Sequence, residues 1–146
     1  MIEVVTDEKW KKPIGDYVKK NAHIHHEIND WYSYLGFVEN DELLGGFLFS
    51  DWDGYNIWIH LALKTPRCCT RTNIKYVFNY CFNQIKCGRI TAMCINGYER
   101  NEKLLKGTGF VKEGIVRKAM KVNGKFIDGA LYGMLKEECN WVLYNQ

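Results

Sequence analysis

Long apolar runs are missing from this sequence. Nowhere do about 20 uninterrupted apolar residues occur, the length a helix needs to cross a bilayer. The opening Met1-Ile2-Glu3-Val4-Val5-Thr6-Asp7-Glu8 also lacks the basic-then-apolar order of a secretory signal, so a cytoplasmic protein with no membrane partner is expected. Proline is scarce, with two in 146 residues, and no Pro/Ser-rich linker, low-complexity tract or internal repeat interrupts the chain. Residues 1-146 are therefore read as a single domain. An excess of one charge is nearly absent: 20 Lys and Arg against 17 Asp and Glu leave +3. The cations are dispersed, which argues against a nucleic-acid partner. What is plentiful is apolar and aromatic side chain, 47% and 14% of residues, which excludes a disordered or collagenous chain. A chain of this length buries on the order of two thirds of the surface its unfolded form exposes.

Spaced metal-ligand pairs are lacking as well. Cys68, Cys69, Cys81, Cys87, Cys94 and Cys139 contain no C-x-x-C, and the adjacent Cys68-Cys69 cannot serve as the usual zinc half-site. In a reducing compartment they read as six thiols, most of them small core residues. His23, His25 and His26 form an H-x-H-H cluster that could ligate a metal, but such a cluster is more often a partly exposed helix end or loop, and no metal is expected.

Hydrophobic periodicity gives the element order. Ile2 to Val5 reads as a short strand, with Thr6 as a helix N-cap ahead of Asp7-Glu8. Two short helices broken near Pro13-Ile14-Gly15 are expected over about Glu8 to Ala22. Tyr32 to Val38 and Leu43 to Phe49 alternate like strands across a tight Glu39-Asn40-Asp41-Glu42 turn, and Asp51-Trp52-Asp53-Gly54 leads to a third strand over Tyr55 to Leu63. After Thr65-Pro66 the period becomes helical, with Ile74, Val77, Phe78, Cys81, Phe82 and Ile85 on one stripe that Gly88 should stop. A strand over Arg89 to Ile95, a helix over about Glu99 to Lys106, and two strands near Ile115 to Val122 and Ala130 to Lys136 around an Asn123-Gly124 turn complete the chain. The order predicts an α/β (α+β) protein with a mixed central sheet of about six to seven strands, flanking helices and one central strand–helix–strand crossover.

In such a crossover the turn before the helix suits an anion, because the first helical amides are unpaired and point outward. Here it reads Lys64-Thr65-Pro66-Arg67-Cys68-Cys69-Thr70-Arg71-Thr72, with three cations, threonine hydroxyls and a free helix N-terminus facing a prospective pyrophosphate. An ordinary helix start with threonine caps and solvated basic side chains is the alternative. The glycines that let a backbone approach phosphate closely are missing.

The C-terminal third carries a longer pattern: Gly109-Phe110-Val111-Lys112-Glu113-Gly114-Ile115-Val116-Arg117, then Gly124, Asp128, Tyr132, Gly133, Met134 and Leu135. It resembles the closing segment of GCN5-related N-acetyltransferases (GNAT), in particular the subgroup containing the ribosomal-protein N-terminal acetyltransferases, whose pattern is G-F-x-x-E-G-x-x-R followed by D-x-x-x-Y-x-x-L. The resemblance implies a GNAT-like acyl-CoA N-acyltransferase fold, acetyl-CoA as cosubstrate and a primary amine as acceptor. It places Arg67, Thr70 and Thr72 at the acyl-CoA pyrophosphate loop, of which only Arg67 matches the usual [Q/R]-x-x-G-x-[G/A]; Cys68, Cys69 and Arg71 lie in the same loop. Leu61, Ala62 and Leu63 correspond to the strand that holds the pantetheine arm.

The family's usual acid is a Tyr five residues ahead of the Gly-Phe phenylalanine, and Leu105 stands there. Tyr98 is the substitute acid closest in sequence, Asn96 ends a strand where relatives place a polar residue near the thioester, and Asn101 shares the helix side of Leu104 and Leu105. For the base the candidate is His60, on the strand where many relatives carry a Glu; a histidine of near-neutral pKa can take a proton from an ammonium. A sheet histidine bonded to a neighbour is the competing reading, and Asp51 and Asp53 are explained by turn chemistry. Glu113, Arg117 and Asp128 fit a supporting role in the hairpin. Two functions follow: N-acetyl transfer to a protein N-terminus, a lysine or a small amine by a monomer or homodimer, or a degenerate fold retained for binding. The transferase is the reading adopted; the degenerate fold is the alternative, to which Leu105, the missing glycines, the exposed surface expected of Trp10, Trp31, Trp52, Trp58 and Trp141 and a resemblance to small bacteriophage-encoded and virion-associated members point.

Overall fold

A computed structural model describes residues 1–24, 28 and 32–142. Seven strands form one mixed sheet: β1 (Glu3–Val5), β2 (Ser33–Glu39), β3 (Glu42–Ser50), β4 (Asn56–Leu63), β5 (Arg89–Ile95), β6 (Val111–Val122) and β7 (Lys125–Leu135), in spatial order β1-β2-β3-β4-β5-β7-β6. All neighbours run antiparallel except β4 and β5. The two-residue turns match the expected chemistry. Asn40 and Asp41 have φ of 51° and 61°, and Asn123 and Gly124 have 49° and 79°, the all-positive geometry whose twist suits a hairpin.

Helix α1 (Lys11–Asn21) covers one face and α2 (Arg71–Asn79) and α3 (Glu99–Thr108) the other. The expected break near Pro13-Ile14-Gly15 does not occur. A single 3₁₀ turn at Glu8–Trp10 precedes a continuous α1, and Thr6 caps nothing: the capping position is Asp7, without a side-chain bond. Pro13 is tolerated because it lies in the first turn, where its missing N–H would have had no helical acceptor. Ile14 and Val18 are fully buried there, each contributing about 1.5–3 kcal/mol. The His25, His26 and Trp31 positions of the cluster and surface readings lie outside the described residues.

On the opposite face Thr70 caps α2, its Oγ1 accepting the Asn73 amide at 3.1 Å. The predicted apolar stripe packs Val77, Phe78, Cys81 and Phe82 into the main core. The helix does not run to Gly88. It widens into a π turn over Tyr80–Ile85 and ends at Lys86, whose φ is 68°, with the Cys87 amide donating to the Cys81 carbonyl at 3.0 Å. Gly88 instead meets the Tyr55 ring and donates to the Tyr55 carbonyl at 2.9 Å. The last two strands start earlier than expected, and a register shift between Val116 and Met120 interrupts β6. There the Lys118 amide donates to Asp128 Oδ1 at 2.9 Å, so Asp128 holds the irregular stretch of the hairpin.

The cysteines are all free and all but Cys69 are buried. Burial pushes the Cys87 thiol up to about 12 and Cys94 to about 11, which keeps them protonated and inert. The tryptophans do not form one surface. Trp10 packs on the α1 side, Trp141 stacks on Phe78 and donates to the Thr108 carbonyl, and Trp52 alone of the described four is largely exposed. Among the described residues no helix is long and apolar enough to cross a membrane.

The packing of α1 depends on the facing pair Gly36 and Gly46. A Cβ at Gly46 would lie 2.6 Å from the Leu35 carbonyl oxygen and 2.9 Å from Ile14 Cγ2. Gly46→Val is expected to cost about 1–3 kcal/mol by overpacking, lowering Tm by on the order of 5–10 °C. Thermal denaturation checks this, and an unchanged Tm would contradict the close approach of Ile14.

Candidate active site

Strands β4 and β5 pair only at Asn56↔Arg89, Ile57↔Ile90 and Trp58↔Thr91. Beyond Thr91 the two strands separate, because each follows its antiparallel partner on the other side: β4 stays with β3 to Leu63, and β5 stays with β7 to Ile95. A cleft of about 590 Å³ opens between them, lined by Ile59–Leu63 on one wall and Ala92–Ile95 on the other. That size falls in the range of small-molecule sites. The joined end is clamped by side chains. Thr91 Oγ1 donates to Asn56 Oδ1 at 2.6 Å, Arg89 Nε donates to Thr91 Oγ1 at 3.2 Å, and Arg89 makes a bidentate pair with Glu113 across β7. Gly133 of β7 leaves room for that pair: a Cβ there would lie 2.6 Å from both Arg89 Nη1 and Glu113 Oε2. Glu113 thus supports the sheet, as expected. Arg117 makes no ion pair among the described residues.

His60, Leu61, Ala62, Leu63, Cys69, Tyr98 and Asn101 all line the cleft. His60 Nε2 lies 2.8 Å from Ser50 Oγ, and Ser50 Oγ donates to Asp51 Oδ2 at 2.9 Å. A hydroxyl has one hydrogen and the Asp51 carboxylate can only accept, so with that hydrogen on Asp51 the Ser50 Oγ is placed to accept from Nε2. The ring lies nearly parallel to that of Trp58, 12° apart in plane with centroids 6.5 Å apart. This histidine is bonded within the sheet, as the competing reading has it, and it also lines the cleft. Asp53 keeps to turn chemistry, accepting the Tyr55 and Asn56 amides. Asp51, by contrast, accepts from Ser50, the residue that lies against His60.

The remaining candidates are placed elsewhere. Asn96 does not line the cleft; its Oδ1 accepts from Lys112 Nζ at 3.1 Å. In the 64–72 turn the cations are occupied. Arg67 pairs with Glu39 at 3.0 Å, Lys64 reaches Glu42 at 3.8 Å and sits over the Tyr17 ring, and Arg71 lies over Trp141 at 6.0 Å. Cys68 is buried, Thr70 serves as the cap, and Arg67, Thr70, Arg71 and Thr72 do not line the cleft. Leu105 is buried, with no proton to give. Sequence reasoning missed Ser50, which becomes visible only through the β3–β4 register. It also missed Arg100 and Lys103, whose i, i+3 spacing on α3 puts them on one helix side and against the cleft. Among the described residues no group of three His, Cys, Asp or Glu could hold a metal ion.

The wall carried by α3 is anchored by Glu102, which is 8% exposed. Its carboxylate accepts from Tyr132 Oη at 2.6 Å, Lys112 Nζ at 2.8 Å and the Gly97 amide at 2.7 Å. Lys112 foremost, then Tyr132 and the Gly97 amide, bring its pKa down to about 2, and burial and Glu102 raise that of Tyr132.

Solved structures supply the comparison. Ribosomal-protein-S5-alanine acetyltransferase from Vibrio fischeri is 18% identical, with 97% of this chain and 96% of that one covered at a TM-score of 0.72. Mutant forms of the spermidine/spermine N-acetyltransferase SpeG from Vibrio cholerae are 14% identical, over 94% and 96%, at 0.73. A protein named "Probable acetyltransferase" is 18% identical, over 94% of each chain, at 0.71. The chain has the GNAT acyl-CoA N-acyltransferase fold. No protein-family model matches it, and no curated protein matches it in sequence. The resemblance carried by the C-terminal third thus holds at the level of the GNAT fold, while these structures lend no support to the bacteriophage kinship.

In this GNAT sheet the depressed Glu102 pKa gives stability that is fully present above the unfolded carboxylate value, about 4.3, and is lost as pH falls toward about 2. Glu102→Gln should therefore lower Tm at pH 7 and flatten its decline between about pH 5 and 2. Thermal melts across that range check it; parallel curves for the two proteins would contradict the network.

Proposed function

We propose that the protein is an acetyl-CoA-dependent N-acetyltransferase acting on a primary amine. The observation that carries this reading is the opening between β4 and β5 with His60 on its wall. The free edge of β4 at Leu61–Leu63 offers backbone groups to a pantetheine amide chain, and a strand amide can stabilise the thioester oxyanion. The amine nitrogen attacks the thioester carbon, and His60 Nδ1 takes the ammonium proton before or during attack. The C–S bond then breaks as the tetrahedral intermediate collapses to the amide. The departing thiolate takes a proton from Tyr98, which stands exposed at the start of α3 on the cleft. No covalent enzyme intermediate is needed, since holding both substrates in one cleft supplies much of the rate. Ser50 and Asp51 keep His60 in the tautomer that leaves Nδ1 basic.

The amine class is not written into any motif. The fold neighbours named for ribosomal-protein alanine and for spermidine support a protein N-terminus or a small amine as the first acceptors to try. Release of CoA thiol from acetyl-CoA with such amines is the direct assay. His60→Gln is expected to reduce kcat by about 10²–10⁴ with acetyl-CoA affinity unchanged, and Ser50→Ala to cause a smaller loss with a displaced pH profile. Turnover unchanged in His60→Gln would remove it as base. Acetyl-CoA binding without turnover on any amine would favour the retained fold as a binding module, the reading that Leu105 and the occupied turn cations support.

A further inference from the structure

A GNAT cleft that takes CoA must neutralise phosphate charge, and the turn expected to do so has its cations engaged elsewhere. Arg67 is neutralised by Glu39, Lys64 faces Glu42 and Tyr17, and Arg71 lies against Trp141. Thr70 Oγ1 accepts the Asn73 amide, which takes that helix N–H away from a phosphate, and the turn has no glycine through which phosphate could approach the backbone. The opposite wall is different. Arg100 and Lys103 are exposed along the cleft, one helical turn apart, and neither is in an ion pair or hydrogen bond through its side chain among the described residues. Arg100 stands close enough to the mouth of the turn that its charge acts on the Cys69 thiol, opposing the upward push of burial. Cys69 and Pro66 mark the phosphate end, at the close of β4 and ahead of the first amides of α2. Among the described lining residues there is no carboxylate to compete.

We propose that Arg100 and Lys103 of α3, across the cleft from the Arg67–Thr72 turn, hold the phosphate groups of CoA. The guanidinium supplies a planar pair of donors that matches two phosphate oxygens, and the ammonium supplies a mobile point charge one turn along. Phosphate recognition has moved from backbone amides of a glycine loop to side chains of the facing helix. This assignment rests on the acetyl-CoA reading above and deepens it.

Isothermal titration of CoA, dephospho-CoA and pantetheine into the full chain tests it. Arg100→Ala and Lys103→Ala should each weaken CoA by about tenfold, the size of one lost charge-assisted hydrogen bond. Arg100→Glu should weaken it further, Lys106→Glu on the same helix should not, and pantetheine binding should be unchanged throughout. The wild-type affinity should fall with salt more steeply than that of the double alanine variant. A loss that persists with dephospho-CoA places the pair on the diphosphate, and one seen only with CoA places it on the 3′-phosphate; both support the assignment. Wild-type CoA affinity retained in Arg100→Glu and Lys103→Ala, or a loss confined to Arg67→Ala, overturns it while leaving the acetyltransferase reading standing. A wild type that binds neither CoA nor pantetheine overturns both. Circular dichroism of each variant confirms that a loss of affinity is not a loss of fold.

Discussion

Everything at the candidate site depends on a parallel ladder that stops after three residue pairs. β4 and β5 are held together at Asn56, Ile57 and Trp58 and then diverge. Backbone N–H and C=O groups demand partners, and a strand that leaves its neighbour must offer that edge to something else. Here both strands keep a full antiparallel partner on their outer sides, so the divergence costs one edge each. The exposed edges form the walls of the cleft, and an extended amide-bearing ligand is the complement such walls fit.

Holding the wedge open requires a firm closed end. The chain Asn56–Thr91–Arg89–Glu113 ties β4, β5 and β6 together at the base, over the space that Gly133 leaves in β7. At the open end Glu102 binds Tyr132, Lys112 and the Gly97 amide, fixing the start of α3 to the β5–β7–β6 side. A buried carboxylate with three donors is stable, whereas loss of one partner leaves a desolvated charge. These two polar networks give Glu113, Tyr132 and Gly133 of the closing sequence pattern a place in the sheet, and none of the three touches the cleft. They shape the slot that other residues line.

Much of the fold was legible because its signals are local. Alternating apolar residues marked the strands, Asn40-Asp41 and Asn123-Gly124 marked the hairpins, and the stripe from Ile74 to Ile85 marked the helix. Errors arose at two breakers: Pro13 sits harmlessly in a first turn, where no helical bond is lost, and Lys86 rather than Gly88 takes the left-handed position while Gly88 packs against Tyr55. The site was legible in part. His60 could be chosen from its strand, yet its partner Ser50 is ten residues away and meets it only through the register of β3 with β4. The cations of the 64–72 turn looked free because Glu39 and Glu42, on the neighbouring hairpin, are distant in sequence. Arg100 and Lys103 look like ordinary surface charge until α3 is set against the cleft.

The most direct measurement of the central claim, that the divergence of β4 and β5 is a slot for acyl-CoA, is peptide-resolved hydrogen exchange with and without acetyl-CoA. Protection should appear over residues 59–63 and 92–95 and at the start of α3, and not in β1 or at the Asn123-Gly124 turn. Bound acetyl-CoA that leaves exchange in both strands unchanged, or protects a surface away from them, would contradict it.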